Sequence, residues 1–111
     1  MTIAADILGH NDLPRAPIEI PEWPGGPYFV RAITGAELRE LRTIDADKEP
    51  EAAMAAMVQL CLVDADGSQV FAIEHRAALM DKNTSVLKRV AEAAIDLCGL
   101  SEEGRDELGK G

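Results

Sequence analysis

Aromatic residues and cysteines are scarce in this sequence of 111 residues, which has one Trp, one Tyr, two Phe and two Cys. With so few aromatics, the core must consist mainly of aliphatic side chains and Ala. Cys61 and Cys98 each lie in an apolar stretch, where a free cysteine commonly acts as a small buried hydrophobe. Their separation excludes a local CxxC site, and a reducing compartment disfavours a disulfide between them.

Basic residues are also few, because eleven Lys and Arg stand against twenty Asp and Glu, a formal charge of −9. Without a basic block, binding to nucleic acid or to an anionic membrane surface is disfavoured. The N-terminus has neither a basic region nor a sustained apolar run, so we expect no secretory signal and a cytoplasmic protein. The longest apolar stretch is well short of the roughly twenty residues that span a bilayer.

That stretch, Glu51 to Val63, is interrupted only by Gln59 and is rich in Ala and Met. Its composition predicts a helix, and its apolar residues on several faces predict that neighbouring elements cover it. Pro50 suits the first turn of this helix. Met54 and Met57 are spaced to form an adaptable binding surface, but core packing is the better interpretation beside equally apolar neighbours.

Residues 1–16 form a segment of mixed character with weak start and stop signals. We expect an arm with at most one helical turn, in which Ile3, Ile7, Leu8 and Leu13 are the possible anchors. Such an arm either frays or docks on a partner, and fraying is the more common outcome.

Two β-rich runs, Ile18–Ile20 and Tyr28–Ile33, are joined by Pro and Gly residues and predict a hairpin. Pro21 lacks a backbone donor, which places the first strand at the edge of a sheet. An edge strand beside Trp23 could accept another chain by strand addition. Packing of Trp23 on its own domain is the more common arrangement.

The rest of the chain predicts helices. Thr34 and Glu37 fit a capping box, and Gly99 suits the end of the last helix. That last helix carries an apolar stripe, formed by Leu87, Val90, Ala91, Ala94, Leu97 and Cys98. A short helix over Glu74–Met80 is expected to turn Ala77, Leu79 and Met80 inward, whereas Val70 and Phe71 form either a minimal strand or a plug in the core.

These elements predict an α+β fold that is mainly helical, with a small N-terminal β-hairpin packed on a bundle of three to four short helices. We expect a flexible N-terminal arm over residues 1–16, a single globular domain over residues 17–104 and a flexible C-terminal tail over residues 105–111. A chain of this length leaves little room for a second domain.

Asp64, Asp66 and Gly67 invite a calcium-loop interpretation, but the register fails. It places Leu62 at the first and Ile73 at the twelfth position of the loop, where carboxylates are needed. A plain turn is therefore predicted.

Other catalytic and metal patterns are equally weak. No pair among His10, His75, Cys61 and Cys98 has zinc-ligand spacing, and His75 is expected on a solvated helix face. The sequence has no GxSxG elbow, Walker loop or GxGxxG motif. We therefore expect neither an enzyme nor a metal or other cofactor.

The order of these features resembles the small tail assembly chaperones of long-tailed bacteriophages and related prophages. The N-terminal part of the likeness consists of Asp6-Ile7-Leu8, Asp12-Leu13-Pro14, Pro21-Glu22-Trp23 and the strand-to-helix step Val30 to Glu37. The remainder consists of Cys61 to Phe71 and of the segment Asp96 to Glu103. It is the order and spacing of these pieces that carries the likeness.

The resemblance implies a non-enzymatic protein of the host cytoplasm that coats the tape measure protein, keeps it soluble and helps to recruit tail tube protein. The resemblance also implies absence from the mature virion. In this family a fraction of the chains is commonly extended by a ribosomal frameshift near the end of the gene, and codons for Gly109-Lys110-Gly111 could form the slippery run. Self-association is compatible with such a coat. As partner-binding residues we single out Leu13 in the arm, Trp23 beside the edge strand and Tyr28 at the start of the second strand.

Three alternatives stay open. A structural component of the phage tail or neck would share the size and the hairpin. An acidic adaptor or inhibitor would need its carboxylates on one face, whereas Lys88 and Arg89 interrupt the acidic last helix. An enzyme would need a pocket with converging polar groups.

Overall fold

A computed structural model of the protein describes residues 2–10 and 13–99. The helices are α1 (Ile3–Gly9), α2 (Gly35–Leu41), α3 (Pro50–Cys61), α4 (Arg76–Leu79) and α5 (Thr84–Leu97), with one 3-10 turn at Ile73–His75. The strands are β1 (Arg15–Ile18), β2 (Tyr28–Arg31) and β3 (Leu62–Val63). The predicted α+β fold, with a small sheet packed on short helices, is confirmed.

The sheet is antiparallel with the strand order β1-β2-β3, so the predicted hairpin is present and β1 lies at an edge. Its boundaries differ from the prediction. The first strand covers Arg15–Ile18 and not Ile18–Ile20, because Ile20 turns into the core and its carbonyl accepts the Trp23 amide in a turn. The proline inside the strand is therefore Pro17, and Pro21 lies in the loop.

The third strand was not predicted. Helix α3 was expected to continue to Val63, but it ends at Cys61, and Leu62 and Val63 extend directly into β3. Val63 pairs with Phe29 of β2 on one side and forms an isolated bridge with Gln69 on the other. Pairing with the distant strand β2 therefore ends the helix, although the local composition of Leu62 and Val63 favours its continuation.

The core lies between α3, α5 and the inner face of the sheet. The inner side chains of the sheet are Ala16, Ile18, Tyr28, Val30 and Leu62, which alternate with the outward Arg15, Pro17, Phe29, Arg31 and Val63. From the predicted α5 stripe, Leu87, Val90, Ala91 and Ala94 are buried, and Leu97 and Cys98 are half-buried. Met57 is buried and Met54 packs against the same interior, which confirms the core interpretation of both.

Gln59 is the one polar side chain buried in the described part of the chain, and both its amide nitrogen and its amide oxygen have a hydrogen-bond partner. Its Nε2 donates to the Phe71 carbonyl at 3.4 Å, and its Oε1 accepts from Arg76 Nε at 2.9 Å. Arg76 Nη2 lies 2.6 Å from Glu40 Oε1. This network joins α2, α3 and α4 and provides the partners that a buried amide requires.

The predicted capping box of α2 and the predicted glycine at the end of α5 are both present. Thr34 Oγ1 accepts from the Glu37 amide at 3.2 Å, and Glu37 Oε1 accepts from the Thr34 amide at 2.9 Å, which completes the capping box of α2. Asn83 caps α5, and Gly99 follows its C-terminal end with φ of +73°, a conformation that favours glycine.

The segment around α4 buries fewer side chains than predicted. Leu79 is buried as expected, but Ala77 and Met80 face solvent. The predicted helix is divided into a 3-10 turn at Ile73–His75 and the four-residue helix α4, so Met80 lies just beyond the helix end. His75 is exposed as predicted, and its Nδ1 accepts from the Ala72 amide at 2.9 Å.

The N-terminal segment is more regular than predicted. Instead of at most one helical turn, it holds the seven-residue helix α1, whose Thr2 cap accepts from the Ala5 amide at 3.1 Å. Ordered sheet structure begins at Arg15, two residues before the predicted boundary at residue 17. The end of the predicted domain at residues 100–104 and the predicted tail at residues 105–111 lie outside the described residues.

Candidate partner-binding surfaces

Trp23 and Tyr28 lie on the loop side of the hairpin and are both half-buried against the main core. The Trp23 ring meets Phe71 edge-on, with ring centroids 5.8 Å apart, and Phe71 thereby fills the predicted role of a core plug. The Tyr28 hydroxyl donates to the Pro24 carbonyl. These contacts give both side chains a structural role within the domain; their role in partner binding stays a prediction.

The hairpin loop is fastened to α5 by a bidentate ion pair. Arg89 Nη1 and Nη2 donate to Glu22 at 2.8 and 2.6 Å, and Nη1 also lies 3.4 Å from the Glu19 carbonyl. The hydrogen bonds from Arg89 lower the pKa of Glu22 from 4.5 to about 2 and raise the pKa of Arg89. The ion pair thus holds the part of the loop just before Trp23 to α5.

Leu13 lies on the opposite face of the sheet. With Arg15, Arg31, Val63, Asp66 and Gly67 it lines a cavity of about 470 Å³, which we call the outer groove. Leu13 is therefore not part of the cluster around Trp23 and Tyr28, and the predicted site residues belong to two separate surfaces.

Two arginines of the outer groove are held in different ways. Arg31 forms a fork with Glu37, Nη1 to Oε1 at 2.9 Å and Nη2 to Oε2 at 2.8 Å, and this hydrogen bonding lowers the pKa of Glu37 and raises that of Arg31. The Arg15 guanidinium lies 5.2 Å from the centroid of Phe29, and its Nη1 donates to the Ala65 carbonyl at 3.2 Å.

The open edge of β1 is a poor site for strand addition. The Ala32 amide donates to the Pro14 carbonyl at 2.9 Å. Because hydrogen-bonded residue pairs alternate along an antiparallel ladder, the backbone N–H and C=O groups of Ala16 and Ile18 also face β2. The backbone groups of Arg15 and Pro17 consequently face outward, and Pro17 has no N–H to donate. This arrangement is typical of edges that resist pairing with another chain.

Helix α1 offers a different kind of surface. Ile3, Ile7 and Leu8 are 78%, 60% and 84% exposed, and none of the residues of α1 is buried. Ile3 and Ile7 are four residues apart and share one face of the helix. A helix of seven residues is marginal in water by itself, so a partner that covers this face would stabilise it.

A second exposed apolar face follows the 3-10 turn and α4. Val70 lies just before the 3-10 turn, Ile73 begins it and Met80 follows α4, and these three side chains are 37%, 61% and 42% exposed. The sequence analysis did not predict this exposed surface, because it expected Met80 to face inward. The sequence spacing of Ile73, Ala77 and Met80 was the available signal, but the same segment also carries Leu79 on its buried side.

The described residues contain no group of three or more His, Cys, Asp and Glu side chains placed to hold a metal ion. Asp64 instead organises a plain turn, in which its Oδ1 accepts from the amides of Asp66 and Ser68 at 2.9 and 3.0 Å. Both cysteines are free thiols, and burial raises the pKa of Cys61 to about 12. A thiol with that pKa is a poor nucleophile at neutral pH.

No helix within residues 2–10 and 13–99 has the length and apolar character that crossing a lipid bilayer requires.

Comparison with known proteins identifies a shared fold. Neither a protein-family model nor a curated protein sequence matches the chain. Among solved structures, the fold is similar to that of a phage tail assembly chaperone, with a TM-score of 0.68 over 85% of this chain and 91% of the other. This structure is the tail assembly chaperone of bacteriophage HK97, one of the solved structures with a similar fold, and its sequence is 18% identical to this chain. At this identity the match concerns the fold.

Proposed function

We propose that this protein is a tail assembly chaperone of a long-tailed phage or prophage, which binds the tape measure protein and keeps it soluble before tail assembly. The observation that supports this most is the fold shared with the HK97 chaperone over 85% of the chain. The resemblance in the order of sequence features supports the same assignment independently of the coordinates.

The described surface suits this role. The largest exposed apolar side chains fall into two groups, one on α1 and one along Val70, Ile73 and Met80. Contiguous exposed apolar side chains are typical of sites that bind another protein. We assign the first contact with the tape measure protein to α1, because its exposed apolar side chains belong to neither core cluster of the described residues.

The proposal includes a non-enzymatic role in the host cytoplasm, recruitment of tail tube protein and absence from the mature virion. Mass spectrometry of purified particles distinguishes this from the alternative of a tail or neck component. A chaperone is missing from the particles, whereas a structural component is present in fixed proportion to the other tail proteins.

Co-expression with the tape measure protein of the same phage tests the proposal directly. We expect the chain to raise the soluble yield of that partner and to co-purify with it. If the partner gains no solubility and does not co-purify, the proposed function is wrong.

A matched pair of variants tests the assignment to α1. Ile7→Asp places a charge on the apolar face and should abolish capture of the tape measure protein. Asp6→Asn replaces the neighbouring side chain by a polar one of the same shape and should leave capture intact. Both variants should melt within about 2 °C of the wild type, because exposed substitutions change stability little. Equal capture by Ile7→Asp and the wild type would refute the role of α1.

A further inference from the structure

Two thiols that are far apart in the sequence lie at the same end of the helical bundle. Cys61 is the last residue of α3, and Cys98 caps the C-terminal end of α5. The Ile33 amide donates to Cys98 Sγ at 3.4 Å, and the Cys98 amide donates to the Ala94 carbonyl at 2.9 Å. The side chains of Ile33 and Ala94 pack in the same part of the core as Cys61. The two cysteines therefore share their neighbours.

The electrostatic environment of Cys61 also places Cys98 close to it. Burial raises the pKa of Cys61 to about 12, and the like charge of an ionised Cys98 raises it further, more strongly than the Arg31 guanidinium lowers it. Both cysteines add to the effect of Glu37 in raising the pKa of Arg31. A like charge disfavours ionisation in this way only when it lies nearby. The end of the bundle thus holds two free thiols at short range.

The two thiols differ in their access to solvent. Cys61 is fully buried, whereas Cys98 is half-buried at the end of its helix. A dissolved oxidant therefore reaches the Cys98 sulfur first, and Cys61 reacts only through it. An accessible cysteine beside a second thiol that resolves its oxidised form is typical of redox-sensitive sites.

We propose that Cys61 and Cys98 are a redox-sensitive pair, which oxidised glutathione converts into a disulfide between the ends of α3 and α5. In the first step, the Cys98 thiolate attacks oxidised glutathione, whose S–S bond breaks, so a mixed disulfide forms and one glutathione thiol leaves. In the second step, the Cys61 thiolate attacks Cys98 Sγ and releases the other glutathione. Two protein thiols are thereby oxidised, and one oxidised glutathione is reduced to two glutathione thiols.

The cross-link would act as a reversible lock on the domain. It closes a loop that runs from the end of α3 through β3 and α4 to the end of α5, and closing such a loop stabilises a fold mainly by restricting the unfolded chain. Excess reduced glutathione reverses both steps, so the state of the pair follows the glutathione pool. This inference does not depend on the proposed chaperone function.

Mass spectrometry of the full chain in oxidised glutathione tests the proposal. The second step is slow near neutral pH because little of Cys61 is thiolate there, so the reaction is run at about pH 9. We expect a product that has lost the mass of two hydrogen atoms, with Cys61 linked to Cys98 in its peptide map. Its melting temperature should exceed that of the reduced chain by roughly 10 °C or more, and dithiothreitol should remove this difference.

Two variants separate the steps of the reaction. Cys61→Ala should stop after the first step and accumulate a chain that carries one glutathione. Cys98→Ser should stay unmodified, because its remaining thiol is buried. In neither variant should oxidised glutathione raise the melting temperature. Each variant is compared with its own reduced form, so a change in stability caused by the substitution itself cancels.

Three results would overturn the inference. A wild-type chain that keeps one glutathione on Cys98, as the Cys61→Ala variant does, would show that the two sulfurs do not meet. A covalent dimer would place the second thiol on another chain. A folded chain that stays fully reduced, although the denatured chain reacts, would show that oxidised glutathione does not reach Cys98.

Discussion

Replacing Leu87 by Ala probes the packing of α5 against α3 and the sheet. Leu87 is 1% exposed and lies in the main core cluster with Val58 and Leu62. The substitution removes three carbon atoms, which at about 0.8 kcal/mol each lose about 2.4 kcal/mol of transfer free energy. The remaining cavity raises the cost to about 3 kcal/mol.

The control for this prediction is Leu8→Ala, which deletes the same atoms from a side chain that is 84% exposed. Its free energy of unfolding should change by less than about 0.5 kcal/mol. Chemical denaturation in urea, monitored by circular dichroism at 222 nm, measures both values. In a thermal scan, Leu87→Ala should melt roughly 12 °C below the wild type.

Equal losses in the two variants would refute the placement of α1 and α5. A large loss for Leu8→Ala would mean that α1 packs on the domain, and a small loss for Leu87→Ala would mean that α5 does not form the core. Unchanged slopes of the denaturation curves are needed for this comparison, because they show that the same surface unfolds in each variant.

Three further predictions concern individual contacts. Since the folded pKa of Glu22 is lowered from 4.5 to about 2, its pair with Arg89 stabilises the fold fully above about pH 5 and loses that effect as the pH falls toward 2. Glu22→Gln should therefore flatten the decline of the urea midpoint between pH 5 and about 2, and an unchanged decline would contradict the ion pair. Thr34→Ala removes the cap of α2 and should cost about 1 kcal/mol in urea denaturation, with Thr34→Ser as the control that keeps the hydroxyl. Trp23→Ala removes the edge-on contact with Phe71 and should lower stability by about 2 kcal/mol; a loss of partner capture at unchanged stability would instead make Trp23 a docking residue.

Local signals in the sequence predicted the features that depend on neighbouring residues alone. The capping box needs only Thr34 and Glu37, and the α5 stripe is visible as a spacing of three and four residues. The edge position of the first strand followed from a proline, although the proline inside the strand is Pro17 and not Pro21. Such short-range rules hold because their physical causes lie within one or two turns of chain.

Features that depend on distant contacts were not predictable in the same way. Leu62 and Val63 continue an apolar helical run, and only their pairing with Val30 and Phe29 turns them into a strand. The inner and outer faces of the sheet likewise separate Leu13 from Trp23, although both precede β2 in the sequence. The partner-binding residues predicted from the sequence, Leu13, Trp23 and Tyr28, therefore lie on two different surfaces of the domain.

The direct passage from α3 into β3 has a mechanical consequence. No loop separates the last turn of the central helix from the strand that pairs with Phe29 and Val30. Separation of β3 from β2 would therefore also displace the C-terminal end of α3. We therefore expect β2 and the middle of α3 to open together, so that native-state hydrogen exchange gives similar opening free energies for the amides of both.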